Sequence, residues 1–217
     1  MTERLVLAID TSFGPVGAAL ATFDRRVIAF VQADNPAGTQ AETLPPVVQT
    51  MLEGHDPKAI ARIAVTVGPG AFTGVRVGLA FAKGLRLATG AEVLGFTTLE
   101  CLAAQAANQA PRANVGVAID AKRGEVYVQA FSHDRAPHCE AALLPIAEAS
   151  GLLNRALGPR AILTGSGAAL LEGLDARIVP TDRIDAHLLA RIAVDADPAA
   201  HPAIPAYLRA PDARLPS

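Results

Sequence analysis

Between Ile60 and Ala88 the chain reads IARIAVTVGPGAFTGVRVGLAFAKGLRLA, and this run restricts the fold more than any other. Ile60 to Val67 is rich in β-branched residues and nearly free of charge, which suits a strand covered on both faces. Gly68, Pro69 and Gly70 end it, and Ala71 to Ala88 then runs without proline for about five helical turns. At about 100° per residue, Gly70, Gly74, Gly78 and Ala82 align as a stripe poor in side chains, against which another backbone could come close. Arg76, Lys83 and Arg86 share an arc of roughly 80° on another side, while Val75, Val77, Leu79, Phe81, Leu85 and Leu87 cover most of the remainder. The pattern predicts a mostly buried helix with one cationic strip.

Glycines before a helix also suggest an anion site, since they expose backbone N–H groups at the positive end of the helix dipole. The spacing does not fit. A Walker loop needs a lysine directly after its second glycine, and none follows Gly74; Gly68, Gly70 and Gly74 also miss the dinucleotide-binding interval. Close packing is the better reading of these glycines.

Upstream, Leu5 to Ile9, Val16 to Phe23 and Val27 to Gln32 read as three strands, the last two joined by a turn at Asp24-Arg25-Arg26. Asp10, Thr11 and Ser12 close the first strand with a carboxylate and two hydroxyls. That set could hold hydrated Mg²⁺ and a phosphate, or could simply form an Asx or Ser/Thr turn, and local sequence leaves both open. Thr39-Gln40-Ala41-Glu42 has the form of a capping box, and Leu44, Val47, Val48, Met51 and Leu52 continue as one apolar stripe. Pro45 and Pro46 fall inside that helix, so a kink or a restart at Pro45 is expected.

Downstream, Val93 to Phe96 reads as a strand and Thr98 to Asn108 as a helix, an alternation that suits a partly parallel sheet. Gln109 to Asn114 marks a boundary between lobes 1–110 and 111–217. The second lobe opens with Val115 to Asp120 and Glu125 to Phe131, repeating the strand, acidic turn and strand of the first, so Asp120 is a second phosphate-site candidate beside Asp10. Pro145 to Ala156 reads as a helix, Ala161 to Thr164 as a strand, Gly165 to Ala168 as a glycine turn before another helix, and Ile184 to Asp195 as a last amphipathic helix. The segment from His201 to Ser217 is an irregular, proline-rich tail expected to fold back onto one of the lobes.

A formal charge of −2 and a pI near 6.2 argue against nucleic-acid binding by bulk electrostatics. Cys101 and Cys139 are too few for a disulfide scaffold or a cysteine zinc site, the first residues lack the apolar length of a signal peptide, and charges interrupt the most apolar run. These features predict a soluble, cytoplasmic protein with no membrane contact. No two of the five histidines have the i, i+4 spacing of a helical metal site, and Ser12, Ser132, Ser150 and Ser166 lie in no nucleophile motif.

The segment Gly68-Pro69-Gly70-Ala71-Phe72-Thr73-Gly74-Val75-Arg76-Val77-Gly78 closely resembles the GPGSFTGxRxG signature of the TsaB (YeaZ) family, with Ala71 where serine is usual. Leu7 to Ser12, Ile119 to Tyr127 and Ala206 to Arg209 follow the family's order, so the resemblance covers essentially the whole chain. Pro46 is less usual for the family, and Gln40 stands where histidine is common. The resemblance implies a two-lobed α/β fold of the actin, sugar kinase and Hsp70 class with a reduced second lobe. It implies a noncatalytic scaffold, needing no cofactor, for a TsaD-like catalytic subunit that transfers threonylcarbamoyl to the adenosine beside the tRNA anticodon. A TsaE-like ATPase and tRNA would be reached through that complex, and the chain alone would form a homodimer. The histidines that hold the metal of TsaD would fall at Thr98 and Leu102, so that site would be missing here. The expected partner surface lies on the two helices, at Leu44, Val48, Met51, Gly74, Arg76, Gly78, Leu79, Ala82, Lys83 and Arg86. Two alternatives remain at this point: a nucleotide-dependent kinase or hydrolase using Asp10, Thr11, Ser12 and Asp120, and a structural homodimer with no other partner.

Overall fold

The structure, a computed structural model, describes residues 3–34 and 39–209. Its first sheet is built from β1 (Leu5–Asp10), β2 (Val16–Thr22), β3 (Val27–Ala33), β4 (Ile60–Thr66) and β5 (Glu92–Phe96), in the spatial order β3-β2-β1-β4-β5. Strands β1, β2 and β3 pair antiparallel, and β4 and β5 continue from β1 in parallel. The second sheet is built from β6 (Val115–Lys122), β7 (Glu125–Phe131), β8 (Ala142–Pro145), β9 (Ala161–Thr164) and β10 (Ala176–Val179), in the order β10-β9-β6-β7-β8. Read from the other side, that is the arrangement of the first sheet with the same parallel and antiparallel pairings. The repeat hinted at by the two acidic turns is therefore present in the backbone.

Strand alternation places the helices. Along β1, Leu5, Leu7 and Ile9 face α1 (Gln40–Met51) and α2 (Phe72–Thr89) on the outer side of the first sheet. Val6 and Ala8 face inward and share a core with Leu99 and Leu102 of α3 (Thr98–Ala107), Leu189 and Ala193 of α5 (Ala186–Ala193), and Val115, Val117 and Ile119 of β6. The outer side of the second sheet is covered by Leu153 and Leu157 of α4 (Ile146–Leu157). Both faces of β1 are thus apolar, as expected for a central strand. The reduction of the second half is visible in its elements: β8, β9 and β10 have four residues each, and the position that α2 occupies after β4 is taken after β9 by a three-residue 3-10 turn, Ala168–Leu170.

Three expectations are corrected. Helix α1 does not restart at Pro45 but continues as one helix through Pro45 and Pro46. Both prolines are exposed, as are Ala41 and Glu42, whose carbonyls the missing N–H groups would have bonded, so water can take those partners. Thr39 precedes α1 but does not cap it with its side chain. The glycine turn Gly165–Ala168 leads to the 3-10 turn and then to β10, not to a full helix.

Beyond α5 the chain returns to the first sheet. Gly95 N–H donates to His201 O at 2.9 Å, Leu94 pairs with Pro202 in an antiparallel bridge, and Ala206 N–H donates to Val67 O at 2.8 Å. Arg209 then reaches the second sheet, donating to Ala121 O at 3.1 Å and to the Glu125 carboxylate at 2.7 Å. The described part of the tail is a strap joining both sheets. Residues 210–217 lie outside the described residues.

Candidate functional site

The turn after β1 is where the candidate phosphate residues meet. Asp10 is fully buried, and its Oδ1 accepts hydrogen bonds from Ser12 N at 2.9 Å, Ser12 Oγ at 2.7 Å and Thr66 Oγ1 at 2.6 Å. The Ser12 hydroxyl proton is committed to Asp10, so Thr98 Oγ1, 2.9 Å away, is the donor in the next link. Asp10 Oδ2 has no hydrogen-bond partner. Burial raises the Asp10 pKa from 3.8 to about 6, against the opposing pull of the bonds from Thr66 and Ser12. The bond from Ser12 N to Asp10 Oδ1 gives this segment the form of an Asx turn.

The glycine stripe closes over the same turn. A methyl group built on Gly70 would overlap Ser12 O, one on Gly74 would overlap Thr11 O, and one on Gly78 would press on Thr11 Oγ1. Thr11 Oγ1 donates to Gly74 O at 2.7 Å, and Ala71 N–H at the start of α2 donates to Ser12 O at 2.8 Å. The helix N-terminus that would otherwise attract an anion is thus directed at the chain's own carbonyl. This corrects the expectation that Gly74, Gly78 and Ala82 face a partner: Gly74 and Gly78 are buried against the turn at Thr11, and Ala82 is buried in the core under the first sheet. Leu44, Val48, Met51 and Leu79 are likewise 4% exposed or less and belong to the core under the first sheet. Of the residues expected at the surface, Arg76, Lys83 and Arg86 are exposed.

Asp120 occupies the corresponding turn in the second sheet and differs in character. Its carboxylate accepts from Lys122 N at 2.8 Å and Lys122 Nζ at 2.6 Å, bonds that hold its pKa below the usual range. Its backbone N–H donates to Ser166 Oγ at 3.1 Å. Each acidic turn therefore packs against the glycine turn of the neighbouring parallel strand, Gly68–Gly70 in one half and Gly165–Gly167 in the other, but only Asp10 is sealed. Thr98 is wholly buried in the hydroxyl chain and Leu102 in the central core. Among the described residues, no three His, Cys, Asp or Glu side chains gather as a metal site. No helix among them is long and apolar enough to cross a membrane.

The exposed stripe of α2 comprises Thr73, Arg76, Ala80, Lys83, Gly84 and Leu87, and Leu87 is 89% exposed. At its start Arg76 stacks on Phe72, 3.6 Å from the ring centroid, and its Nε donates to Tyr207 Oη of the strap at 3.1 Å. Sequence reasoning took Arg76 as part of a cationic strip and missed this pairing. The i, i+4 spacing of Phe72 and Arg76 was the available signal, whereas the approach of Tyr207 depends on the course of the strap.

A family model described as TsaD: tRNA N6-adenosine threonylcarbamoyltransferase matches residues 37–162. The tRNA threonylcarbamoyladenosine biosynthesis protein TsaB of Escherichia coli K12 is 36% identical over 131 residues, which is 59% of this chain and 55% of that protein. An uncharacterised protein of Mycobacterium tuberculosis H37Rv is 30% identical over 212 residues, 96% of this chain and 93% of that one. Matches to TsaB-named relatives span 53% to 58% of those proteins' length. Among solved structures, YeaZ from Pseudomonas aeruginosa superposes with a TM-score of 0.75 at 25% identity, covering 94% of this chain and all of that one. The ethanolamine utilization protein EutJ from Carboxydothermus hydrogenoformans, at a TM-score of 0.51 and 10% identity, shares the actin-like fold alone. The family match, the relatives and the repeated five-stranded sheets agree, and the chain belongs to the TsaD family and, within it, to the TsaB (YeaZ) group.

Proposed function

We propose that the chain serves the biosynthesis of threonylcarbamoyladenosine on tRNA as a noncatalytic subunit that binds a TsaD-like catalytic subunit and holds it in its active arrangement. The observation that carries this reading is the closure of the Asp10 turn. Its carboxylate is fully buried, and the backbone of Thr11 and Ser12 is in contact with Gly70 and Gly74, so a metal-bound nucleotide would have to part β1 from α2 to reach it. Thr98 and Leu102 support the same reading, since both side chains are committed to internal packing. The surface offered to a partner is the solvent side of α1 and α2, where Ala80, Gly84 and Leu87 give a shallow strip beside Arg76 and Lys83. Small residues there allow close helix approach. Two copies meeting through this strip would form the homodimer when the catalytic subunit is absent, with heterodimer formation in competition. A TsaE-like ATPase and tRNA engage the assembled complex, which works in the cytoplasm.

Reconstitution tests the proposal. The isolated chain is expected to modify no tRNA and to turn over no Mg²⁺-ATP in calorimetry, while its addition to a TsaD-like subunit restores modification. Gly84→Glu is the informative variant, because nothing lies within 4 Å of a side chain built there and the helix should remain intact. It should weaken co-elution with the catalytic subunit about tenfold or more. Nucleotide turnover by the chain alone, or a folded Gly84→Glu protein with undiminished binding and modification, would defeat the proposal.

A further inference from the structure

Between the two sheets, away from both acidic turns, lies a cavity of about 290 Å³ bounded by Arg25 in the β2–β3 turn, Asn108 after α3, Arg135 in the loop after β7, and the last turns of α5. Its size is close to the lower end of small-molecule sites, roughly 300 Å³. Three guanidiniums and the single carboxylate of Asp195 line it, which leaves two positive charges on a chain whose formal net charge is −2. Arg25 is paired with Asp195. Neither the Arg135 nor the Arg191 side chain has a hydrogen-bonding or ionic partner among the described residues. Leu188 and Ile192 supply an apolar wall beside them, and Asn108 adds a side-chain amide.

An arginine in the last turn of a helix can be explained by the negative end of the helix dipole. Here that end is already answered from another strand: Arg62 Nη1 donates to Ala193 O at 2.9 Å, Val194 O at 2.7 Å and Ala196 O at 3.0 Å. Arg135 comes from a separate loop and is held at a positive φ of 70°, in a turn whose Asp134 carboxylate is bonded to Ser132 and not to the arginine. Two unpaired guanidiniums from different elements therefore line one cavity, and a guanidinium engages a phosphate group through two parallel N–H bonds.

We infer that this cavity is a phosphate-binding site, with Arg135 and Arg191 as the ligating residues, Asn108 as a neutral donor, and Leu188 and Ile192 against the group that carries the phosphate. The inference does not depend on the function proposed above. The phosphate can come from a small molecule or from an RNA backbone, and titration of the full chain distinguishes these sources. AMP and a short RNA hairpin are titrated separately by calorimetry, with adenosine as the phosphate-free control. Both side chains are exposed, so the double variant Arg135→Gln with Arg191→Gln should fold normally, and circular dichroism checks that it does. Saturable AMP binding, absent with adenosine and about tenfold or more weaker in the double variant, supports a small-molecule site. Hairpin binding that the double variant loses, without AMP binding, supports an RNA-backbone site. Binding of neither probe, or binding that the folded double variant retains in full, overturns the inference.

Discussion

The carbonyl oxygen of Thr11 lies so close to the α-carbon of Gly74 that only a hydrogen atom fits between the turn and the helix. This contact sets the distance between β1 and α2, and with it the closure of the Asp10 turn.

The first prediction contrasts two glycines of one helix. Gly74→Ala must push α2 away from the Thr11 backbone, which has no flexible side chain to yield, and should cost about 3 kcal/mol or more. Gly84→Ala meets nothing within 4 Å and should stabilise the chain by up to about 1 kcal/mol through helix propensity. Urea unfolding of the two variants measures the difference, and equal effects would contradict the described packing.

The second prediction concerns pH. Asp10 has a folded pKa of about 6 against an ordinary value of 3.8, so the folded state holds this proton more tightly than the unfolded chain. Its contribution to stability is therefore complete below pH 3.8 and is lost as pH rises through about 6. The full span is on the order of 3 kcal/mol. Asp10→Asn removes the titration while keeping an acceptor for Ser12 and Thr66. Unfolding at about pH 4.5 and about pH 7 should show the wild type losing stability relative to the variant as pH rises, because other titrating groups are common to both. Parallel curves would show that the carboxylate does not carry this cost.

The third prediction concerns Arg62, whose side chain is 16% exposed and joins β4 to three carbonyls at and just beyond the end of α5. Arg62→Ala leaves those carbonyls to find other partners and should destabilise the fold by about 2 kcal/mol. Hydrogen exchange should locate the loss in α5 and the segment following it.

The fourth prediction addresses the strap. Tyr207→Phe removes the hydroxyl that accepts from Arg76 but keeps the ring beside Phe72, at a centroid distance of 5.5 Å. Because the group is 48% exposed, the loss should be no more than about 0.5 kcal/mol. Tyr207→Ala, which also removes the ring, should cost measurably more in thermal melts.

The strand, turn and helix from Ile60 to Thr89 were legible because period, charge and glycine spacing pointed the same way. Two TxxE sequences at helix starts show where such legibility stops. Thr39 and Thr97 each stand three residues before a glutamate at a helix start, yet only Thr97 caps, accepting from Glu100 N at 3.0 Å. Thr97 has the extended backbone, φ −67° and ψ 146°, that turns its hydroxyl onto the helix end, whereas Thr39, at φ −101° and ψ 7°, does not. The four-residue strands β8 and β10 escaped notice because segments so short carry almost no periodic signal. The glycine stripe was correctly read as a close-packing surface, but a pattern on one helix does not name the backbone that approaches it. That backbone proved to be the turn at Thr11 and Ser12.

The course of the chain after α5 also bears on how the protein avoids unwanted association. An uncovered strand edge presents a row of free donors and acceptors to any neighbouring chain. On the outer edge of β5, Gly95 N–H is taken by His201 O and Leu94 is bridged to Pro202. The covering segment is itself a poor template, because Pro202 and Pro205 have no N–H to offer to a further strand. A chain cut before His201 should therefore lose solubility before it loses its fold, through pairing of the bared β5 edge between molecules.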